Sequence, residues 1–326
     1  MGGWEIVLSI VLLIVGMALL IKGADFFVEG ASAIAKALKI PSLVIGLTLV
    51  SIGTSMPEFS VSLTSSLQGN IDMSFGNVIG SNIFNTFIVI GVSAIIVPLV
   101  VSKNMQKYDL PILMGIYALL AIFSFVITPG IIQVWESIIL FSLTIIYTVF
   151  LILRSKGENV EEEQTTKKRK WWVNLILVAL GLAGIIFGGK IVVNNASKIA
   201  MALGMSEMLV GLTIVAIGTS LPELVTSIVA AKKGENDIAI GNAIGSCLFN
   251  VVLILGFCSI LEPYVINVSN LNTLIDVIVM FISALAVFLF SIKSKKITRW
   301  QGIVMVVIYV IYFTYIVLRD IGVLVL

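Results

Sequence analysis

Apolar stretches of about 20 residues, separated by short polar segments, recur along this chain from end to end, and each is long enough to cross a bilayer as a helix. The pattern predicts an all-α membrane protein with ten transmembrane helices, over approximately 4–22, 42–67, 72–98, 109–128, 131–153, 171–190, 207–231, 237–261, 272–291 and 300–318. The semi-polar stretches 23–38 and 191–203 are candidate extensions of the first and sixth spans as tilted helices. One segment between the fifth and sixth spans, RSKGENVEEEQTTKKRK, is polar throughout and too short to fold alone. It divides the chain into a first five-helix unit at 1–154, a linker at 155–170 and a second five-helix unit at 171–326. The first apolar run follows MGGWE without a basic leader or a small-residue cleavage site, so it is expected to be a retained helix.

The two units are copies. VIGLTLVSIGTSMPE and GNVIGSNIFN in the first return as LVGLTIVAIGTSLPE and GNAIGSCLFN in the second. The spacing is constant, 165 positions without gaps, so that Gly53, Thr54, Ser55, Pro57 and Glu58 face Gly218, Thr219, Ser220, Pro222 and Glu223. Five spans per copy is an odd number, so the second copy crosses the membrane in the opposite sense. This is the inverted-repeat plan of many secondary transporters, whose site lies near the midplane between the repeats. The basic residues agree with it. They gather at 36–39, 103–107, 154–170, 232–233 and 293–299, whereas QGNID, TPGIIQ and EPYVINVSNLN carry none. The positive-inside bias then puts both termini outside and the linker in the cytoplasm.

Composition narrows the chemistry. Of 326 residues 59% are hydrophobic and 12% charged, histidine is absent, and the only cysteines are Cys247 and Cys258. Zinc, haem and thiolate sites and a disulfide framework are thereby excluded, and a net charge of +2 gives no reason to expect nucleic acid. What remains for binding is oxygen, which suits hard cations such as Na⁺, Ca²⁺ and Mg²⁺.

Glu58 and Glu223 are the residues that need explaining. A carboxylate at the centre of a membrane helix costs about 2.5–3.5 kcal/mol on insertion scales. Two at matched positions read as the walls of one cation site. At helical spacing Ser51, Thr54, Ser55, Glu58 and Ser62 share a face, as do Thr219, Ser220, Glu223 and Ser227, with Ala216 in place of a serine. Asn77, Ser81 and Asn85 are spaced by four, as are Asn242, Ser246 and Asn250. Pro57 and Pro222 should break their helices and release the carbonyls around Ser51 to Thr54 and Ala216 to Thr219 as further ligands. Two carboxylates balance one Ca²⁺, and the same oxygens could hold Na⁺ instead; Mg²⁺ suits the site less because it gives up water reluctantly. Gly76/Gly80 and Gly241/Gly245 read as close-packing pairs, and Asn77 and Asn242 as either helix bridges or ligands. Lys22, Asp25 and Lys190 are expected to be interfacial or mutually paired.

The paired GTS-[ML]-PE and GN-x-IGS-xx-FN blocks resemble the alpha-repeats of the cation/Ca²⁺ exchanger superfamily, specifically the prokaryotic sodium/calcium exchangers, over essentially the whole chain. The resemblance implies Ca²⁺ moved against Na⁺ by alternating access, in a prokaryotic cell membrane, without a cofactor, nucleic acid or obligate protein partner. It implies that Glu58 and Glu223 ligate both ions. Thr54, Thr219, Ser55, Ser220, Ser81 and Ser246 match ligands of Na⁺ or Ca²⁺ sites, and the carbonyls of Ser51 and Ala216 match further ones. Some relatives carry aspartate at the position of Asn250; here Asn85 and Asn250 are both amides, leaving two carboxylates at the centre. Ca²⁺/H⁺ exchange on the same scaffold is the alternative. Twin broken helices do not require a passive channel, and for an intramembrane enzyme the chain offers no histidine and no acid–base pair with an obvious nucleophile.

Overall fold

The computed structural model describes residues 3–155, 170–204, 214, 216–265, 271–320 and 323. Among these, eight helices are long and apolar enough to cross a membrane: α1 (Gly3–Leu38), α4 (Ile71–Ile96), α5 (Met105–Ile127), α6 (Val134–Ser155), α7 (Trp171–Ala202), α10 (Asn236–Leu261), α11 (Leu271–Ser294) and α12 (Arg299–Asp320). A ninth crossing is bent: α2 (Ser42–Thr54) and α3 (Met56–Leu67) meet at 48°. The expected span 207–231 falls partly outside the described residues, which show α8 (Ala216–Thr219) and α9 (Leu221–Lys232). The linker at 155–170 also lies almost wholly outside them. The chain is an integral, multi-pass membrane protein built of helices.

Both candidate extensions form, so the first and sixth spans are single long helices. At 1.5 Å per residue the 36 residues of α1 are about 54 Å long, well beyond a hydrocarbon core of about 30 Å. Such a helix must tilt or protrude. α1 and α7 lie along one another, and glycines set their distance. A Cβ on Gly181 would come within 2.5 Å of Phe27 N, one on Gly188 within 2.6 Å of Leu20 N, and one on Gly23 within 2.6 Å of Ile185 N. Gly181→Val is therefore expected to force the pair apart and destabilise the protein by about 1–3 kcal/mol, the usual cost of overpacking. A lower thermal midpoint of the purified protein checks this; an unchanged one would show that the contact yields freely.

α4 and α10 form the centre. Their apolar windows are 72% and 78% buried, against 17–39% for the other spans, whose outer faces carry Ile14, Ile146, Phe187 and Ile311 toward lipid. Gly241 and Gly245 of α10 approach Gly46, Leu47 and Ser51 of α2, as the close-packing reading expects. For Gly76 and Gly80, the corresponding partner stretch at 211–213 lies outside the described residues.

Contacts between the halves follow the repeat. Strand β1 (Leu99–Val100) pairs antiparallel with β4 (Lys296–Ile297), and β2 (Ile131–Ile132) with β3 (Tyr264–Val265). Leu99 opposite Ile297 and Tyr264 opposite Ile132 are the same pair with the two copies exchanged. At another end of the molecule Lys233 Nζ meets Asp25 Oδ1 at 2.7 Å, and Glu235 takes Lys36 at 3.7 Å and a hydroxyl bond from Ser32. Of the two expectations for Asp25, interfacial or paired with Lys22 or Lys190, the pairing is corrected: its partner is Lys233, because α1 runs on past the apolar span to reach the α9–α10 turn.

One duplicated constellation escapes the sequence reading. Arg154 forks onto Asp109 at 3.0 and 3.1 Å while Tyr147 OH donates to the same carboxylate at 3.0 Å. Arg319, Asp276 and Tyr312 repeat this at 3.0, 3.1 and 2.9 Å. The first set joins α5 to α6 and the second joins α11 to α12.

Candidate functional site

The chain bends where the proline motif predicts, but the freed carbonyls are placed differently. Residues Gly46–Val50 widen into a π-helical turn, α2 resumes through Ser51–Thr54, and the break falls at Ser55 (φ −82°, ψ 7°). Pro57 then occupies the first turn of α3, where a missing N–H is tolerated. The Ser51 carbonyl still accepts the Ser55 N–H at 3.0 Å, so it is not orphaned as expected; it also faces the Ser246 hydroxyl at 3.4 Å. In the second copy the Ser220 N–H goes to Ile217 O at 3.2 Å, one residue further along than the matching bond of Ser55.

The bends place the two glutamates in the first turns of α3 and α9, both fully buried. Each is held by the opposite half. Ser220 Oγ donates to Glu58 Oε1 at 2.8 Å, and Ser55 Oγ donates to Glu223 Oε1 at 2.9 Å. Ser246 Oγ lies 3.3 Å from Glu223 Oε1, and Ser81 Oγ lies 3.1 Å from Ser220 Oγ. These bonds gather both carboxylates into one buried cluster of serine hydroxyls. Two buried acids in one cluster are tolerated only when a cation or a proton offsets their charge.

Further polar atoms, four oxygens and one amide nitrogen, are left open on the two glutamates and on two asparagines. Glu58 Oε2, Glu223 Oε2, both amide atoms of Asn85 and Asn250 Oδ1 are buried without a hydrogen-bond partner among the described residues. Interiors seldom leave such atoms unmatched, and five of them on two matched pairs of residues mark a place for a ligand. The turns carrying the asparagines are themselves π-helical, Asn85–Val89 and Asn250–Leu255. The first packs against α9, which bears Glu223, and the second against α3, which bears Glu58. Among the described residues no group of three or more His, Cys, Asp or Glu that could hold a metal gathers anywhere.

Asn77 and Asn242 bridge helices. Asn77 Nδ2 donates to Glu58 O at 3.2 Å and Ser62 Oγ at 2.9 Å, and Asn242 Nδ2 to Glu223 O at 3.1 Å and Ser227 Oγ at 2.9 Å. Each amide thus steadies the turn that carries a glutamate. Thr54 Oγ1 is buried and donates to Asn242 Oδ1 at 2.9 Å, with Val50 O at 3.1 Å. Thr219 is half-buried at the end of α8, whose first residue is Ala216. The sequence reading missed Asn82, fully buried and bonded to Asn250, and Cys247, which meets Asn82 through both backbone and thiol.

Known proteins resemble this chain in sequence and fold. The family model described as sodium/calcium exchanger protein matches twice, at residues 8–153 and 173–318. The putative antiporter CaxA of Alkalimonas amylolytica is 35% identical over 312 residues, covering 93% of this chain and 96% of that protein. The sodium/calcium exchanger MaX1 of Methanosarcina acetivorans is 30% identical over 344 residues, covering 94% and 98%. The solved structure of the sodium-calcium exchanger NCX_Mj soaked with 2.5 mM Na⁺ and 0.1 mM Ca²⁺ superposes with a TM-score of 0.82 at 33% identity, covering 94% of this chain and 98% of that one. With one model matching each half and full-length relatives on both sides, the chain belongs to the sodium/calcium exchanger protein family.

Proposed function

We propose that this protein exchanges Na⁺ for Ca²⁺ across a prokaryotic cell membrane by alternating access, with the ions bound between Glu58 and Glu223. The observation that carries the reading is the reciprocal hydroxyl–carboxylate pairing, Ser220 to Glu58 and Ser55 to Glu223, which brings two acids from opposite halves to one buried point. Ca²⁺ takes both charges at once and completes its shell of about 6–8 oxygens from neutral groups. Those groups are the hydroxyls of Thr54, Thr219, Ser55, Ser220, Ser81 and Ser246, the amides of Asn85 and Asn250, and the carbonyls of Ser51 and Ala216. Na⁺ uses overlapping oxygens, so the site holds Ca²⁺ or Na⁺ and each displaces the other. The work done is transport and no bond of a substrate is made or broken.

The scaffold for this cycle is ten helices in two inverted five-helix repeats, at 1–154 and 171–326, joined by the cytoplasmic linker 155–170, with both termini outside. The exchanged strand pairings support that symmetry. In vesicles loaded with Na⁺, Ca²⁺ uptake at fixed, clamped pH is expected to rise with the outward Na⁺ gradient and to stop when the gradient is collapsed. Uptake that ignores sodium and follows an imposed pH difference would instead assign Ca²⁺/H⁺ exchange to the same site.

A further inference from the structure

The amide of Asn250 is committed on one side only. Its Nδ2 donates to Asn82 Oδ1 at 3.0 Å, while its Oδ1 is buried with no hydrogen-bond partner among the described residues. Asn82 is itself fixed. Its Nδ2 donates to Cys247 O at 3.2 Å and lies 3.7 Å from Met280 Sδ. Its own carbonyl accepts Thr86 Oγ1 at 2.7 Å and Cys247 Sγ at 3.6 Å. Rotating the Asn82 amide would set its oxygen against the Cys247 carbonyl and its N–H₂ against the N–H₂ of Asn250. Both contacts would then be lost in a buried place, where each unsatisfied group costs about 1–3 kcal/mol.

We infer that Asn82 is a positioning residue for the transported cation: it holds Asn250 with the amide oxygen free for the Glu58–Glu223 site and the N–H₂ turned away. An amide presenting N–H₂ would repel a cation, so the direction of this one hydrogen bond decides whether Asn250 is a ligand. The donors run in a single sense, from Asn250 to Asn82 to the Cys247 carbonyl. Among the described residues no such device holds the matching amide, that of Asn85. Asn85 corresponds to Asn250, and the position corresponding to Asn82 is Cys247, whose thiol bonds to the Asn82 backbone and cannot orient an amide. The two ends of the site therefore differ: the oxygen of Asn250 is preset, and among the described residues no side chain presets that of Asn85.

The inference rests on the reading of Asn250 as a ligand, and the experiment separates the two. Asn82→Leu, which keeps the branched four-atom shape and removes both polar atoms, is expected to raise the half-saturating Ca²⁺ concentration about tenfold with the maximal rate nearly kept. In an Asn250→Ala background, with no amide left to orient, adding Asn82→Leu is expected to change nothing further. If Asn250→Ala alone leaves half-saturation unchanged, the ligand reading fails and the inference with it. If Asn250→Ala is impaired but Asn82→Leu is silent, or its effect persists undiminished in the double variant, the positioning role alone is overturned. Asn82→Ser, too short to reach Asn250, gives the same expected split should the leucine variant not fold.

Discussion

Glu58→Gln and Glu223→Gln are each expected to lower Ca²⁺ exchange by at least about 100-fold, and by similar factors. Two carboxylates neutralise one Ca²⁺; with a single carboxylate the loaded site carries a net positive charge inside hydrocarbon. A charge at that depth costs about 2.5–3.5 kcal/mol, which at 1.4 kcal/mol per factor of ten is on the order of 100-fold in occupancy. The similarity of the two losses follows from the geometry, since each carboxylate has one oxygen on a serine of the other half and one oxygen without a hydrogen-bond partner among the described residues. Glutamine retains an oxygen for Ser220 or Ser55, so the variants should remain folded and the loss should lie in transport. Initial rates of Na⁺-driven Ca²⁺ uptake in vesicles measure it. Near-normal flux in either variant would remove that glutamate from the site.

What the sequence disclosed and what it hid separate along one line, which is whether a residue has a twin. Glu58, Ser55 and Asn77 stand out because Glu223, Ser220 and Asn242 repeat them in apolar surroundings, and the structure brings these residues together. Asn82 stayed hidden because its counterpart is Cys247, so the comparison of copies passes over it. The constellation around Asp109 stayed hidden for a subtler reason. Arg154 and Arg319 keep the repeat spacing, as do Tyr147 and Tyr312, but Asp276 lies two residues beyond the position matching Asp109. A strict offset therefore shows two unremarkable surface cations, and Arg154 was counted only toward topology. The π-turns at Asn85 and Asn250 leave no mark in the sequence, since widening a turn depends on what packs against it. The Ser51 carbonyl is a different kind of miss. A proline removes one donor, and which acceptor loses it depends on where the helix chooses to break; here the break at Ser55 leaves the Ser51 bond intact.

Arg154→Met is expected to cost about 3–5 kcal/mol of stability, the usual result of stripping a buried carboxylate of its partner. Asp109 is fully buried and the Arg154 side chain is only 10% exposed, so water cannot take over the lost bonds. Tyr147 would remain as its one donor. The arginine also lies over the rings of Tyr108 and Phe150 at 5.7 and 5.3 Å, contacts that methionine would keep only in part. The twin provides an internal control. Arg319 and Asp276 have the same fork and the same tyrosine but are 21% and 20% exposed, so Arg319→Met should cost distinctly less. The double variant Asp109→Leu/Arg154→Met should recover most of the loss, because replacing a buried pair by apolar groups is far cheaper than breaking it. Thermal unfolding of the three variants in one detergent ranks them, and equal destabilisation by Arg154→Met and Arg319→Met would show that burial does not set the difference. Exchange per folded molecule should stay near normal in all three, since these clusters tie α5 to α6 and α11 to α12 and none of their bonds reaches the glutamates.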